Sequence, residues 1–138
     1  MTTISADALP DALSAPAREF ISQAHRLLIG AERPEAADGR TFSTLDPATG
    51  REIAEVAQGG PRDVERAVAA AREAFADGPW SSLPAAGRER LMLDLAAAIE
   101  ERAEEFAQIE SLDNGKPVGL AQYVLQEFLG RRGQATLA

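Results

Sequence analysis

The chain has 138 residues, of which 45% are hydrophobic, and a formal net charge of −8 from 22 acidic and 14 basic residues. This length suits one ordinary domain or part of a larger one. Acidic surfaces repel phosphates, so we expect no nucleic-acid partner. The sequence contains no cysteine, which excludes disulfides, thiolate zinc sites and a thiol nucleophile within this chain.

The sequence predicts neither a secretory signal nor a membrane span. Residues 1–16 contain Asp7 and Asp11, no basic residue and no continuous apolar stretch, which is unlike a signal peptide. No apolar run approaches the ~20 residues needed to cross a bilayer. We therefore expect no membrane association and a cytoplasmic location. Because residues 1–16 are rich in Ala, Ser, Asp and Pro, we interpret them as a mobile leader.

A short helix over 17–24 is expected first, followed by a β-rich stretch. Residues 26–29, 41–45 and 51–57 combine aliphatic, aromatic and β-branched side chains and predict three short strands. The sequence D-P-A-T-G at 46–50 is typical of a turn, because Asp bonds the backbone ahead, Pro fixes φ and Gly permits a positive φ. The close spacing of the last two strands favours an antiparallel hairpin.

Two long amphipathic helices are predicted next, over 61–77 and 84–113. Pro61 suits a first helical turn, and Gly78-Pro79 ends the pattern. Apolar residues recur at helical spacing in both segments. In the second segment they are Leu91, Leu95, Ile99, Ala103, Phe106 and Ile109. The predicted fold class is therefore α/β, with a small antiparallel β unit and two long amphipathic helices.

Two features that could suggest chemistry are better explained as ordinary structure. His25 is the only histidine, and a general base or a metal ligand needs partners that its neighbours do not supply. Gly59-Gly60 before a helix could bind an anion through free N–H groups, but Pro61 removes one donor. We interpret His25 as a packed or surface residue and the glycine pair as a turn.

Several short motifs follow one another along the chain. They are the turn at Leu45 to Gly50, the helix Val64 to Phe75, Trp80, Arg88-Glu89-Arg90 and the run Glu110-Ser111-Leu112-Asp113-Asn114-Gly115-Lys116-Pro117. In this order and at these distances they resemble the aldehyde dehydrogenase family, and the resemblance extends from Leu27 to Val124. The family commonly has Asn-Pro at the turn, where this sequence has Asp46-Pro47.

This resemblance implies a division of the chain into three segments. Residues 17–124 are expected to form the N-terminal part of an aldehyde dehydrogenase nucleotide-binding domain, packing mainly as scaffold. Residues 125–138 do not match the family and are expected to form an unrelated tail. We expect the chain to be truncated relative to the family, as a gene fragment or as a truncated or frameshifted product.

The chemistry implied by the resemblance requires residues beyond the matching part. In the family, a cysteine attacks the aldehyde, the adduct passes a hydride to NAD(P)⁺, and a glutamate activates water to release the acid. Aldehyde is therefore the substrate, and NAD or NADP the cofactor, of the complete enzyme. No catalytic or cofactor-binding residue is assigned here, and the chain alone is expected to bind no dinucleotide and to be inactive.

One group of site residues is implied by the resemblance. Some family members hold a structural sodium or potassium ion, whose ligands correspond to the backbone oxygens of Thr44 and Leu45 and to Asp113. Hard cations do favour carbonyl and carboxylate oxygens. A further family ligand would lie downstream. The alternative is that Asp113 caps the end of the second long helix.

A second function remains open beside the enzyme fragment. The chain could be a non-catalytic helical interaction module that docks on another protein. Apolar side chains at Leu91, Leu95, Ile99 and Phe106 also predict self-association through exposed helix faces.

Overall fold

The computed structural model describes residues 9–130, and their side chains as far as Glu127. Of the expected leader, residues 1–8 lie outside the described residues, as do residues 131–138 of the expected tail. The elements are α1 (Ala15–Ile21), β1 (Thr41–Leu45), β2 (Glu52–Ala57), α2 (Pro61–Asp77), α3 (Pro79–Ser82), α4 (Ala85–Glu101), α5 (Ala103–Asn114) and α6 (Val118–Gly130). The predicted α/β class with a small antiparallel β unit is confirmed.

The two strands form the hairpin predicted from the D-P-A-T-G turn. β1 pairs antiparallel with β2, and Thr44 lies opposite Ala54. Leu45 lies opposite Glu52, so Ile53 is an extra residue on β2. A β-bulge of this kind bends its strand and locally disrupts the hydrogen-bond ladder. The bulge therefore lies at the two β1 residues named above as cation ligands.

The strand predicted over 26–29 is absent, and this prediction was wrong. The Ile29 and Glu32 backbones bond each other in both directions at 3.1 Å, across a turn where Gly30 has φ of 60°. Leu27 N–H donates to the carbonyl of Pro34 at 3.0 Å. The segment folds back on itself and so satisfies these backbone groups locally instead of through the sheet.

Helix α1 begins earlier than the 17–24 expected from its apolar residues. It spans Ala15–Ile21, with Ser14 as the N-cap residue. The Ser14 hydroxyl accepts a hydrogen bond from the Ala17 N–H at 3.4 Å, and Pro16 sits in the first turn, where its missing N–H is not needed. The capping residues, not the apolar spacing, set this boundary.

The helix predicted over 61–77 is confirmed as α2, whereas the one predicted over 84–113 is divided. Arg102 separates α4 from α5 with φ of −111° and ψ of 18°. Its guanidinium donates two hydrogen bonds to the Glu105 carboxylate, at 2.8 and 2.6 Å. Neither glycine nor proline marks this break, and a one-residue interruption scarcely disturbs apolar periodicity, so the sequence contains no clear signal for it.

The described core is small and lies between the N-terminal segment, β2 and α5. Leu13 and Ile109 pack against its edge. The residues that form it are Leu9, Ile21, Ile53, Ala54 and Leu112. This packing holds the C-terminal end of α5 against the hairpin. Among the described helices, none combines the length and the apolar character that a membrane span requires.

Candidate cation site

The turn after β1 is held by the side chain of its first residue. The Asp46 carboxylate accepts the Ala48 N–H at 2.9 Å and the Thr49 hydroxyl at 2.6 Å. These two hydrogen bonds, the hydroxyl first, lower the pKa of Asp46. Gly50, with φ of 69°, donates its N–H to the Asp46 carbonyl at 2.7 Å. The exchange of Asn for Asp thus preserves the turn, because both side chains can accept these bonds.

The end of α5 is closed by its own local bonds. Gly115 takes a left-handed φ of 76° and donates to the Ser111 carbonyl at 3.0 Å. The Asn114 side-chain oxygen accepts the Lys116 N–H at 3.0 Å. The Lys116 ammonium pairs with the Glu110 carboxylate and, as the leading cause, lowers the pKa of Glu110.

The turn and the helix end are neighbours in space. A Cβ atom added to Gly115 would lie 3.0 Å from Cγ of Pro47, so the two backbones approach closely. Leu112, one turn earlier on α5, belongs to the same core cluster as Ile53 of the hairpin. Core packing therefore places the last turn of α5 beside the segment that follows β1.

The three predicted ligands lie on these two neighbouring pieces of backbone. Thr44 is half-buried and Leu45 exposed in β1, and Asp113 is exposed in the last turn of α5. Within residues 9–130, no three His, Asp or Glu side chains group as a metal site would require. A cation here would therefore rely on main-chain oxygens and one carboxylate, and convergence of those oxygens on one point remains a prediction.

Sequence reasoning missed the most enclosed carboxylate in the described residues, Asp63. It is 3% exposed and accepts the N–H groups of Gly60 at 3.0 Å and Ala37 at 3.1 Å. These bonds, that of Gly60 first, lower the pKa of Asp63. The signal was an acidic residue three positions after the Gly60 N-cap, the second half of a capping box. Its long-range bond to Ala37 had no sequence signal.

His25 is packed, as interpreted from the sequence. Its ring lies 5.0 Å from the Phe20 ring at a tilt of 51°, and its Nε2 atom lies 3.3 Å from the Ile21 carbonyl oxygen. Its backbone carbonyl accepts the Ala57 N–H at 2.8 Å. These contacts fix α1 against the hairpin and bring no second candidate ligand to the ring.

Comparison with known proteins relates most of this chain to one family. Residues 34–131 match the model of the Aldehyde dehydrogenase family. The chain is similar to benzaldehyde dehydrogenase, mitochondrial, of Antirrhinum majus, at 47% identity over 77% of this chain and 20% of that protein. It is also similar to aminoacetaldehyde dehydrogenase of Pseudomonas aeruginosa, at 42% identity over 84% of this chain and 22% of that protein.

Solved structures give the same relation. An NAD⁺ complex of aldehyde dehydrogenase from Bacillus cereus superposes with a TM-score of 0.81 at 36% identity, covering 91% of this chain and 26% of that one. The chain spans about a fifth of the length of the curated relatives it matches. The family match continues to residue 131, and so includes part of the 125–138 segment that sequence reasoning left unmatched.

Proposed function

Because the chain belongs to the aldehyde dehydrogenase family, we propose that it forms the N-terminal part of an NAD(P)-dependent enzyme that oxidises aldehydes. The family resemblance stated from the residues is thereby confirmed. The observation that carries the proposal is the superposition of 91% of this chain on a solved aldehyde dehydrogenase at a TM-score of 0.81. The role of these residues is structural: they hold a hairpin and a helical layer in fixed relation.

The start of α2 does not fit a dinucleotide phosphate. A helix N-terminus binds phosphate through free N–H groups. At the start of α2 the Gly60 N–H is already bonded to the Asp63 carboxylate, whose negative charge would repel phosphate. Pro61 has no N–H to offer. We therefore propose that NAD(P) is held, and the thiolate nucleophile supplied, by family segments outside this sequence, which has no cysteine.

The test is reconstitution with a second polypeptide that carries the remaining family segments. Aldehyde-dependent NAD(P)H formation should be absent for this chain alone and should appear when the two polypeptides are expressed together. Leu112→Asp, which places a charge in the core, should abolish the recovery, whereas Arg90→Ala on the exposed face of α4 should not. Turnover by the purified chain, or no recovery with a folded chain, would contradict the proposal.

A second candidate function, docking through exposed apolar helix faces, is favoured by one observation. Phe75 on α2 is 87% exposed, and Leu91, Met92 and Leu95 on α4 are also exposed. Exposed apolar clusters of this kind are common at interaction surfaces and promote association. We propose that the isolated chain self-associates through α4. Sedimentation should show a mass that rises with concentration, and less so in a Leu91→Gln, Leu95→Gln double variant. A monomer at all concentrations would contradict this.

We also propose that Thr44, Leu45 and Asp113 contribute oxygens to a sodium or potassium site, completed by water or by oxygens from outside this sequence. The approach of Gly115 to Pro47 and the bulge at Thr44 support it, because together they place a disrupted strand end beside the last turn of α5. A ligand that binds only the folded state raises its stability. Potassium chloride should therefore raise the melting temperature more than choline chloride does.

The control for the cation site is a matched pair of carboxylate substitutions. Asp113→Asn should remove the difference in melting temperature between potassium chloride and choline chloride. Asp94→Asn, which replaces an exposed carboxylate on α4, should leave that difference unchanged. An equal potassium effect in both variants would contradict the site and would indicate general screening of the net charge of −8.

For location, we propose the cytoplasm. The absence of cysteine from the sequence fits a reducing compartment such as the cytosol. Since several similar relatives are named as mitochondrial, the two compartments are best separated by imaging the tagged chain beside an organelle marker. Co-localisation with that marker would contradict the proposal.

A further inference from the structure

A short non-helical segment precedes α1 and lies across the core. We call residues 9–14 the strap. Leu9 is 8% exposed and belongs to the core cluster with Ile53 and Leu112, and Leu13 packs at the edge of that cluster. The strap is therefore a lid of two leucines over the apolar surface that β2 and α5 share.

Two side chains outside the strap hold its backbone. Arg18 of α1 donates to the carbonyls of Pro10 and Leu13 and lies 3.9 Å from the Asp11 carboxylate. On the other side, the Gln108 side-chain oxygen of α5 accepts the Ser14 N–H at 2.8 Å. The strap has one backbone bond of its own, from Leu13 N–H to the Pro10 carbonyl at 3.2 Å.

The strap also forms one wall of a cleft of about 310 Å³. Leu9, Pro10 and Asp11 of the strap line this space. The other residues that line it are Asp46, Thr49, Arg51, Glu52, Ile53 and Leu112. Because Leu9 belongs to the same core cluster as Ile53 and Leu112, movement of the strap would expose the core to the cleft.

We propose that the strap opens as a unit and gates this cleft. Local openings involve segments with few backbone bonds, whereas helices and paired strands open at higher free energy. Ser14 is joined to the first turn of α1, because its carbonyl and hydroxyl accept the N–H groups of Arg18 and Ala17 at 3.0 and 3.4 Å. The rest of the strap is held by side chains from other elements and by its one turn bond. Arg18 is the main residue that holds the strap closed, and is called the latch below, since its planar guanidinium donates to two strap carbonyls at once.

The test uses the absence of cysteine in this sequence, which makes a single introduced thiol an unambiguous reporter. Leu112→Cys places that thiol beneath the strap, and its rate of reaction with a maleimide measures opening. Adding Arg18→Ala should raise this rate about tenfold, the scale of one or two lost charge-assisted hydrogen bonds. Arg18→Lys should raise the reaction rate less, because lysine keeps the positive charge but lacks the planar guanidinium that bonds both carbonyls.

The control is a reporter buried elsewhere. Ala36, 6% exposed, lies in the loop that Asp63 holds. Ala36→Cys should react at a rate that Arg18→Ala leaves unchanged. A rise at both positions would mean that the whole chain loosens, and no rise at position 112 would mean that Arg18 is not the latch. Either outcome overturns the proposal.

Hydrogen exchange in the unaltered chain gives a second, independent measurement. If the strap opens as a unit, the amides of Leu13 and Ser14 should exchange at one common opening free energy. That opening should be easier than for Ala57, whose N–H bonds the His25 carbonyl at 2.8 Å. Equal opening of all three amides would show that the strap is released only by global unfolding.

Discussion

The described residues divide into a half that forms a small apolar core and a half, α2 to α4, that buries no apolar side chain. The hairpin, α1 and α5 meet around Ile21, Ile53 and Leu112, each less than a tenth exposed. In α2 the one buried residue is the charged Asp63, and α3 and α4 bury none. Yet the apolar stripes of α2 and α4 are as regular as that of α5.

This difference shows what helical periodicity does and does not predict. A repeat of apolar residues every three or four positions indicates a helix with one side suited to burial. It does not say what covers that side. Leu91 and Leu95 of α4 are 48% and 54% exposed, while Leu112 of α5 is 9% exposed. The pattern therefore predicted α4 and α5 equally well as helix, although only α5 packs into the core.

The largest effect that tests this comparison is a pair of leucine truncations. Leu112→Ala should destabilise the chain by about 2–5 kcal/mol, because it removes buried methyl groups and leaves a cavity. Leu95→Ala should change the stability of the monomer by less than about 0.5 kcal/mol, since an exposed side chain loses little on truncation. Chemical denaturation followed by circular dichroism measures both variants, at a protein concentration low enough to keep the chain monomeric. Equal losses under these conditions would mean that α4 is covered within the monomer.

An intermediate effect is expected at the one buried carboxylate of the open half. Asp63→Asn should lower the melting temperature at neutral pH by several degrees. The asparagine amide replaces one of the two oxygens that accept the N–H groups of Gly60 and Ala37. The substitution also removes the attraction between the Asp63 carboxylate and the Arg66 guanidinium, which lie 3.8 Å apart. The loop at 36–40 should exchange amide hydrogens faster as a result.

The pH dependence of this variant has a definite sign. The Gly60 and Ala37 N–H groups, and after them Arg66, lower the pKa of Asp63 in the folded state, against the opposing effects of burial and of the Asp38 charge. Its stabilisation is therefore fully present above the unfolded pKa of about 3.9 and is lost as the pH falls through the folded value. The difference in free energy of unfolding between the unaltered chain and Asp63→Asn should therefore disappear below about pH 4. A difference that stays constant with pH would contradict a stabilising role for the charged Asp63 carboxylate.

Elements marked by turn-forming or helix-starting residues were predictable from this sequence, and those without such residues were not. The turn at Asp46 to Gly50 and the helix from Pro61 follow from residue types with known positional preferences. The absent strand at 26–29 and the break at Arg102 also depend on near neighbours, through the pairing of Ile29 with Glu32 and the contact of Arg102 with Glu105. No residue type in either segment distinguishes these pairings from a regular strand or helix.

The candidate cation site was also only partly predictable from the sequence. Thr44, Leu45 and Asp113 were named from the family resemblance, and no spacing rule relates residues so far apart in the chain. What the structure adds is the contact between the turn and the end of α5. That contact depends on Leu112 and Ile53 packing together, which no single segment specifies.

A smaller effect is expected where this contact is tightest. Gly115→Ala should cost about 1–2 kcal/mol for placing an L-residue in the left-handed region. It should cost somewhat more because the new Cβ atom would lie 3.0 Å from Pro47. Gly50→Ala is the matched control, with φ of 69° and open space around its Cβ position. If the two variants lose equal stability, the turn and the helix end are not in contact in solution.

The smallest effect is predicted for an ion pair on the open half. The Arg90 guanidinium lies 2.9 Å from the Asp94 carboxylate one helical turn ahead, and both side chains are more than half exposed. Pairs of this kind on a helix surface contribute about 0.3–0.5 kcal/mol, because solvent screens the charges and both side chains lose rotamer freedom. Arg90→Ala removes the pair and also replaces arginine by the better helix former, which offsets part of the loss. Its free energy of unfolding should therefore stay within about 0.5 kcal/mol of that of the unaltered chain and become indistinguishable from it in high salt. A loss as large as that of Leu112→Ala would show that α4 is anchored through its charged face, and the division of the molecule into a packed and an open half would then fail.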